Sequence, residues 1–77
     1  MKEELVMPLT VIQVGRRVRL VAVKAGQGLR SRLTAMGLVA GVEIEVLKNN
    51  GKGPFLVEVK GCRVMLGRGM AQKIIVK

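Results

Sequence analysis

Leu29-Arg30-Ser31-Arg32-Leu33-Thr34-Ala35-Met36-Gly37-Leu38-Val39-Ala40-Gly41 runs directly into Val42-Glu43-Ile44-Glu45-Val46, and the change of period at Gly41 decides the fold. In the first part Leu29, Leu33 and Met36 recur at i, i+4 and i+7, which sets them on one face of a short helix over 29–36. Arg30, Ser31 and Thr34 turn the other way, and Arg32 lies at the flank. Gly37 stands where a left-handed residue closes a helix, with Leu38 placed to reach back to Leu33. Gly41 suits the positive-φ corner of a tight turn. Beyond it the period becomes two, with Val42, Ile44 and Val46 on one side of a strand and Glu43 and Glu45 on the other.

The same strand period extends outward in both directions. Arg16 to Lys24 reads as a long strand in which Val18, Leu20 and Ala22 alternate with Arg17, Arg19, Val21 and Val23. The second set passes from charged to apolar, as expected where a strand bends at a bulge. After a polar loop over 48–54, Phe55, Val57 and Val59 form the inward set of a further strand. Gly61-Cys62 turns the chain into Arg63-Val64-Met65-Leu66, a short turn surrounds Met70 and Ala71, and 73–76 closes the fold. Residues 1–8 read as a flexible N-terminal arm, and 9–77 as a single domain. The expectation is a mainly β fold, a small barrel of about five strands with one short helix, because closure removes the edges of such apolar strands.

Composition narrows the chemistry. The chain has 77 residues, enough for one domain with a thin core. Phe55 is the sole aromatic residue, so aliphatic side chains must fill that core. Fourteen Lys and Arg against five acidic residues give a net charge of +9, which suits an acidic protein surface, a nucleic acid or an anionic membrane. No run approaches the roughly 20 apolar residues of a spanning helix. The opening residues lack a signal-peptide pattern, so a cytoplasmic location is expected.

Catalysis is not expected. Histidine and aspartate are missing and Ser31 is the one serine, so no nucleophile–base pair can be assembled. Glu43 and Glu45 lie about 7 Å apart on a strand face and read as solvated partners of nearby cations. No cofactor or metal site is expected, since a lone thiol and scattered carboxylates do not form a closed ligand set. Cys62 cannot pair within the chain and is read as a small hydrophobe. A proline-rich peptide would need a groove lined with aromatic rings, which one phenylalanine cannot provide. The arginines cluster at positions 16, 17 and 19, on the helix at 30 and 32, and at 63 and 68. Arg pairs bidentately with carboxylate or phosphate, so an acidic partner is the first reading and a basic nucleic-acid-binding barrel the second. Single-strand binding is disfavoured by the shortage of stacking aromatics. Leu38, Val39, Leu47 and Leu56 are candidates for exposed apolar contacts.

The order of Leu29, Leu33, Met36, Gly37, Leu38 and Gly41 resembles the signature of the FeoA family. Leu9 and Gly15 before the first strand, Gly53-Pro54 before the third, and Ala71, Ile74 and Val76 at the close match the same frame, so that the likeness covers residues 9–76. Ala40 and Val14 stand where the family often has proline. The resemblance implies an SH3-like barrel of the cytosol that assists a ferrous iron membrane transporter carrying a GTPase domain. The family also carries transition-metal labels. A detached SH3-like regulatory domain of a metal-dependent repressor is a further alternative. On this reading Arg30, Arg32, Leu38 and Val39 are the partner-binding candidates, because they lie in the signature segment.

Overall fold

The computed structural model describes residues 5–77. Strand β1 (Met7–Pro8) leads through a 3-10 turn (Leu9–Val11) to β2 (Arg17–Val23), followed by helix α1 (Gln27–Ala35), β3 (Glu43–Lys48), β4 (Phe55–Val59) and β5 (Cys62–Leu66). A one-turn helix α2 (Arg68–Gln72) and β6 (Ile74–Val76) complete the chain. The strands form one antiparallel sheet in the order β1-β6-β2-β3-β4-β5. Sixteen apolar side chains from its inner face, α1, α2 and the turns meet in a single cluster with Phe55, fully buried, as its largest member. No helix among the described residues is long and apolar enough to cross a membrane.

The sheet curls because β2 serves two partners. Its first half pairs Arg17, Val18 and Arg19 with β3, and its second half pairs Leu20, Ala22 and Val23 with β6, with a register shift between Leu20 and Ala22. That is the bend expected from the changing pattern of β2. The shift also moves Ala22 into solvent and turns Val23 toward the core, reversing the two sides expected of them.

Helix α1 is weak in isolation: it has no side-chain N-cap and no acidic residue in its first turn, and Gly28 lowers its propensity. Its C-terminal end and its packing hold it. Gly37 adopts φ +91°, its N–H donates to Thr34 O at 3.0 Å, and the Leu38 N–H donates to Leu33 O at 2.9 Å. These are the two bonds of a Schellman cap. Leu33 and Leu38 are both buried beside them, at 0% and 1% exposure. Met36 does not share the buried face; it occupies the C-cap with ψ near 2° and is 39% exposed. The chain then turns over Val39–Val42, closed by Val42 N–H to Val39 O at 3.1 Å, with Gly41 at φ +91°.

Three further features differ from the sequence reading. Met7 and Pro8 pair with Val76 and Ile75, so ordered pairing begins inside the segment read as an arm; residues 1–4 lie outside the described residues. Arg68–Gln72 is a helical turn with Ala71 buried, which adds a second helix. Cys62 is exposed rather than packed. The β4–β5 hairpin turns on Lys60 and Gly61, both at positive φ, with Val59 opposite Cys62. This two-residue geometry sets Cys62 at the turn, away from the core.

Candidate protein-binding surface

A cleft of about 410 Å³ lies between α1 and the second half of β2. Leu20 and Leu38 form part of its lining and are buried, while Val21 and Val39 rise on its walls, each 37% exposed. Arg30 and Thr34 border it from α1, one helical turn apart. The cleft follows from local geometry. The Schellman cap and the Val39–Val42 turn fold the chain back over β2, where Leu20 N–H donates to Val42 O at 2.9 Å and Gly41 N–H to Leu20 O at 2.8 Å. The Arg19 guanidinium ties the same turn by donating to Gly41 O at 3.0 Å.

Arg30 and Val39 are therefore brought to one place. Arg32 is exposed on α1 but does not line the cleft, since two residues along a helix rotate the side chain to another side. Leu38 is a correction: it is read as exposed, yet it is buried in the core beneath α1 and reaches the cleft only as part of its lining. Leu47 and Leu56 are half-buried. Val21 completes the cleft and was not among the contact candidates. Its signal in the sequence was an apolar residue on the outward side of a strand whose earlier outward residues are arginines.

The carboxylates occupy a different face. Glu43, Glu45 and Glu58, the acidic residues among those described, border one hollow on β3 and β4 with Arg17 and Lys60. Glu45 stands opposite Glu58 in register and opposite Arg17 on the other side. Arg17 Nε lies 3.5 Å from Glu45 Oε1 in an ion pair. Like charges directly opposed across strands are unfavourable unless offset by such a neighbour. No group of three or more His, Cys, Asp or Glu side chains among the described residues could hold a metal ion. Cys62 stands exposed at the start of β5.

A polar junction braces the N-terminal turn against the β3–β4 loop. Asn49 Nδ2 donates to Ile12 O at 3.0 Å and to Thr10 O at 3.4 Å, while its Oδ1 accepts from Gly51 N–H at 3.3 Å and from Arg68 Nη2 at 2.6 Å. The Arg68 guanidinium also lies over the Phe55 ring, 4.6 Å from its centroid. These groups join the N-terminal turn, the β3–β4 loop and α2, which marks them as structural.

Comparison with known proteins agrees with this architecture. The FeoA domain profile matches residues 7–77. A Methanocaldococcus jannaschii protein, whose name proposes it as Fe(2+) transport protein A, is 36% identical over 70 residues, covering 91% of this chain and 84% of the relative. The crystal structure of an iron uptake regulatory protein, FeoA, superposes with a TM-score of 0.89 at 33% identity, over 95% of this chain and 97% of that one. FeoA of Stenotrophomonas maltophilia, solved with zinc and described as a prokaryotic SH3 domain protein, gives 0.81 at 26% identity over 92% and 89% of the two chains. With its signature helix, SH3-like sheet and near-complete coverage by this profile, the chain belongs to the FeoA family, which is associated with ferrous iron transport.

Proposed function

We propose that the chain is a non-enzymatic accessory protein of ferrous iron uptake, acting in the cytoplasm, and that it docks through the α1–β2 cleft on an acidic face of the cytosolic part of a GTPase-containing ferrous iron transporter. The observation that carries this reading is the convergence of Arg30 with the exposed Val21 and Val39 around one cleft, on the segment that bears the family signature. An apolar centre with a cationic rim suits a protein partner of opposite charge. The residue inventory, without histidine or aspartate, supports binding over catalysis.

The test measures binding of the purified chain to the transporter's GTPase domain, to duplex DNA and to RNA, each at two salt concentrations. Arg30→Glu with Arg32→Glu is expected to weaken binding to the GTPase domain at least about tenfold, since reversing interface charges opposes association. Arg32→Glu alone is expected to contribute the smaller share, because Arg32 lies off the cleft. Tight nucleic-acid binding with a steep salt slope and no affinity for the transporter would replace this reading with the nucleic-acid one.

A further inference from the structure

The two edges of the sheet are unlike. β1 is two residues long and contains Pro8, features that blunt an edge against further pairing. β5 is five residues long, contains no proline and pairs with β4 without a register shift. Among the described residues it has no neighbour in the sheet on its other side.

The hairpin determines which of its backbone groups are free. A two-residue turn at Lys60-Gly61 makes Val59–Cys62 the hydrogen-bonded pair that closes it. Antiparallel alternation then makes Val57–Val64 and Phe55–Leu66 hydrogen-bonded pairs, while Glu58–Arg63 and Leu56–Met65 are not. The N–H and C=O groups of Arg63 and Met65 therefore point away from β4. Among the described residues, neither has a backbone partner outside the sheet. The side chains above them are accessible: Arg63 is exposed and Met65 is 67% exposed. Among the described residues Arg63 forms no ion pair, although Glu58 stands opposite it in register.

We propose that β5 is a docking edge for an extended acidic segment of a partner protein, which adds as an antiparallel strand and hydrogen-bonds to Arg63 and Met65. The geometry specifies its sequence. Side chains facing Met65 and Arg63 lie two residues apart on one side of the added strand, and antiparallel direction places the one facing Met65 first. The recognised pattern is apolar-x-acidic, with the carboxylate on the Arg63 guanidinium. Charge selects this occupant over a second copy of the chain, because two molecules of net charge +9 repel while an acidic strand is attracted. The edge is separate from the α1–β2 cleft, so the proposal stands or falls independently of the function proposed above.

The probe is a short synthetic peptide with Ile-Thr-Glu at the centre of a Val/Thr-rich extended frame, followed by amide NMR on the intact chain. The Arg63 and Met65 amides are expected to shift and gain exchange protection while the Val64 amide stays as it was. A peptide with lysine in place of its glutamate is expected to bind at least about tenfold more weakly, and Arg63→Glu to reverse that preference. Met65→Pro removes one outward donor at an edge position that tolerates proline, and is expected to abolish binding, whereas Met65→Thr retains it. N-methylating the peptide at the amides that would face β5 gives the same test with the protein unaltered. Binding that survives N-methylation, shifts confined to Arg30 and Val39, or no shift at all would overturn the proposal. Protection of Arg63 and Met65 that appears without peptide, with a doubling of mass, would assign the edge to a second copy instead.

Discussion

The two helices pack on the same barrel by different means. Helix α1 does so with an apolar side chain: Leu33, fully buried, sits under the helix against the cluster that includes Leu38. Helix α2 does so with a polar one: Arg68 reaches Asn49 across the barrel end and covers Phe55 with its guanidinium. Apolar burial is non-directional and scales with area, so the α1 contact supplies stability wherever a leucine of suitable size fits. The Asn49 junction is directional. It satisfies the carbonyls of Ile12 and Thr10, which no strand pairs, and so fixes where the N-terminal turn and the β3–β4 loop must lie. Stability comes chiefly from the apolar contact and positional definition from the polar one.

This contrast can be broken at its strong end first. Leu33→Ala is expected to cost about 2–5 kcal/mol, the range for a leucine removed from a packed core. A loss below about 1 kcal/mol in denaturant unfolding would show that the cap, rather than the leucine, holds α1. Asn49→Ala is expected to cost about 1–3 kcal/mol, because it leaves half-buried carbonyls and the Arg68 guanidinium without their partner. Asn49→Ser should recover part of this loss, and a change as large as that of Leu33→Ala would erase the distinction. The smallest effect is expected on the outer face of α1, where Arg30→Glu and Arg32→Glu together should alter stability by no more than about 0.5 kcal/mol. The same double variant should lose partner binding, which separates the proposed docking face of α1 from its packing face.

The difference between the helices also explains what could be read from the sequence. Leu29 and Leu33 at helical spacing, Gly37 at the helix end and Val42-Glu43-Ile44-Glu45-Val46 carry their structure in local periodicity, and α1, its cap and β3 follow from it. The bulge in β2 was legible as a change of pattern, although not as the displacement of Ala22. Other features depend on contacts distant in sequence. Leu38 follows the capping glycine and precedes Val39 in a turn, so the local pattern supports both a contact with Leu33 and an exposed position, and the packed core decides for the first. Cys62 alternates with Val64 and Leu66, and only the two-residue turn at Lys60-Gly61 places it in solvent. Met7 and Pro8 form a strand because β6 is present to pair with them. At the candidate site, Arg30 and Val39 were anticipated and do converge. Their companion Val21 comes from a different strand, so only the tertiary fold unites the three.

The Asn49 junction also bears on the time course of folding. Its bonds to Thr10 and Ile12 span 39 and 37 residues, and its bond to Arg68 spans 19. Such contacts form only after distant segments have met, a condition that slows folding in β-rich topologies. The β3–β4 and β4–β5 hairpins join neighbouring strands and have no such requirement. The hairpins are thus suited to organise the transition state, and the junction to tighten after it. Loss of Asn49 should then raise the unfolding rate while leaving the refolding rate nearly unchanged, the signature of an interaction formed late. In that case Asn49 acts chiefly on how long the folded barrel persists.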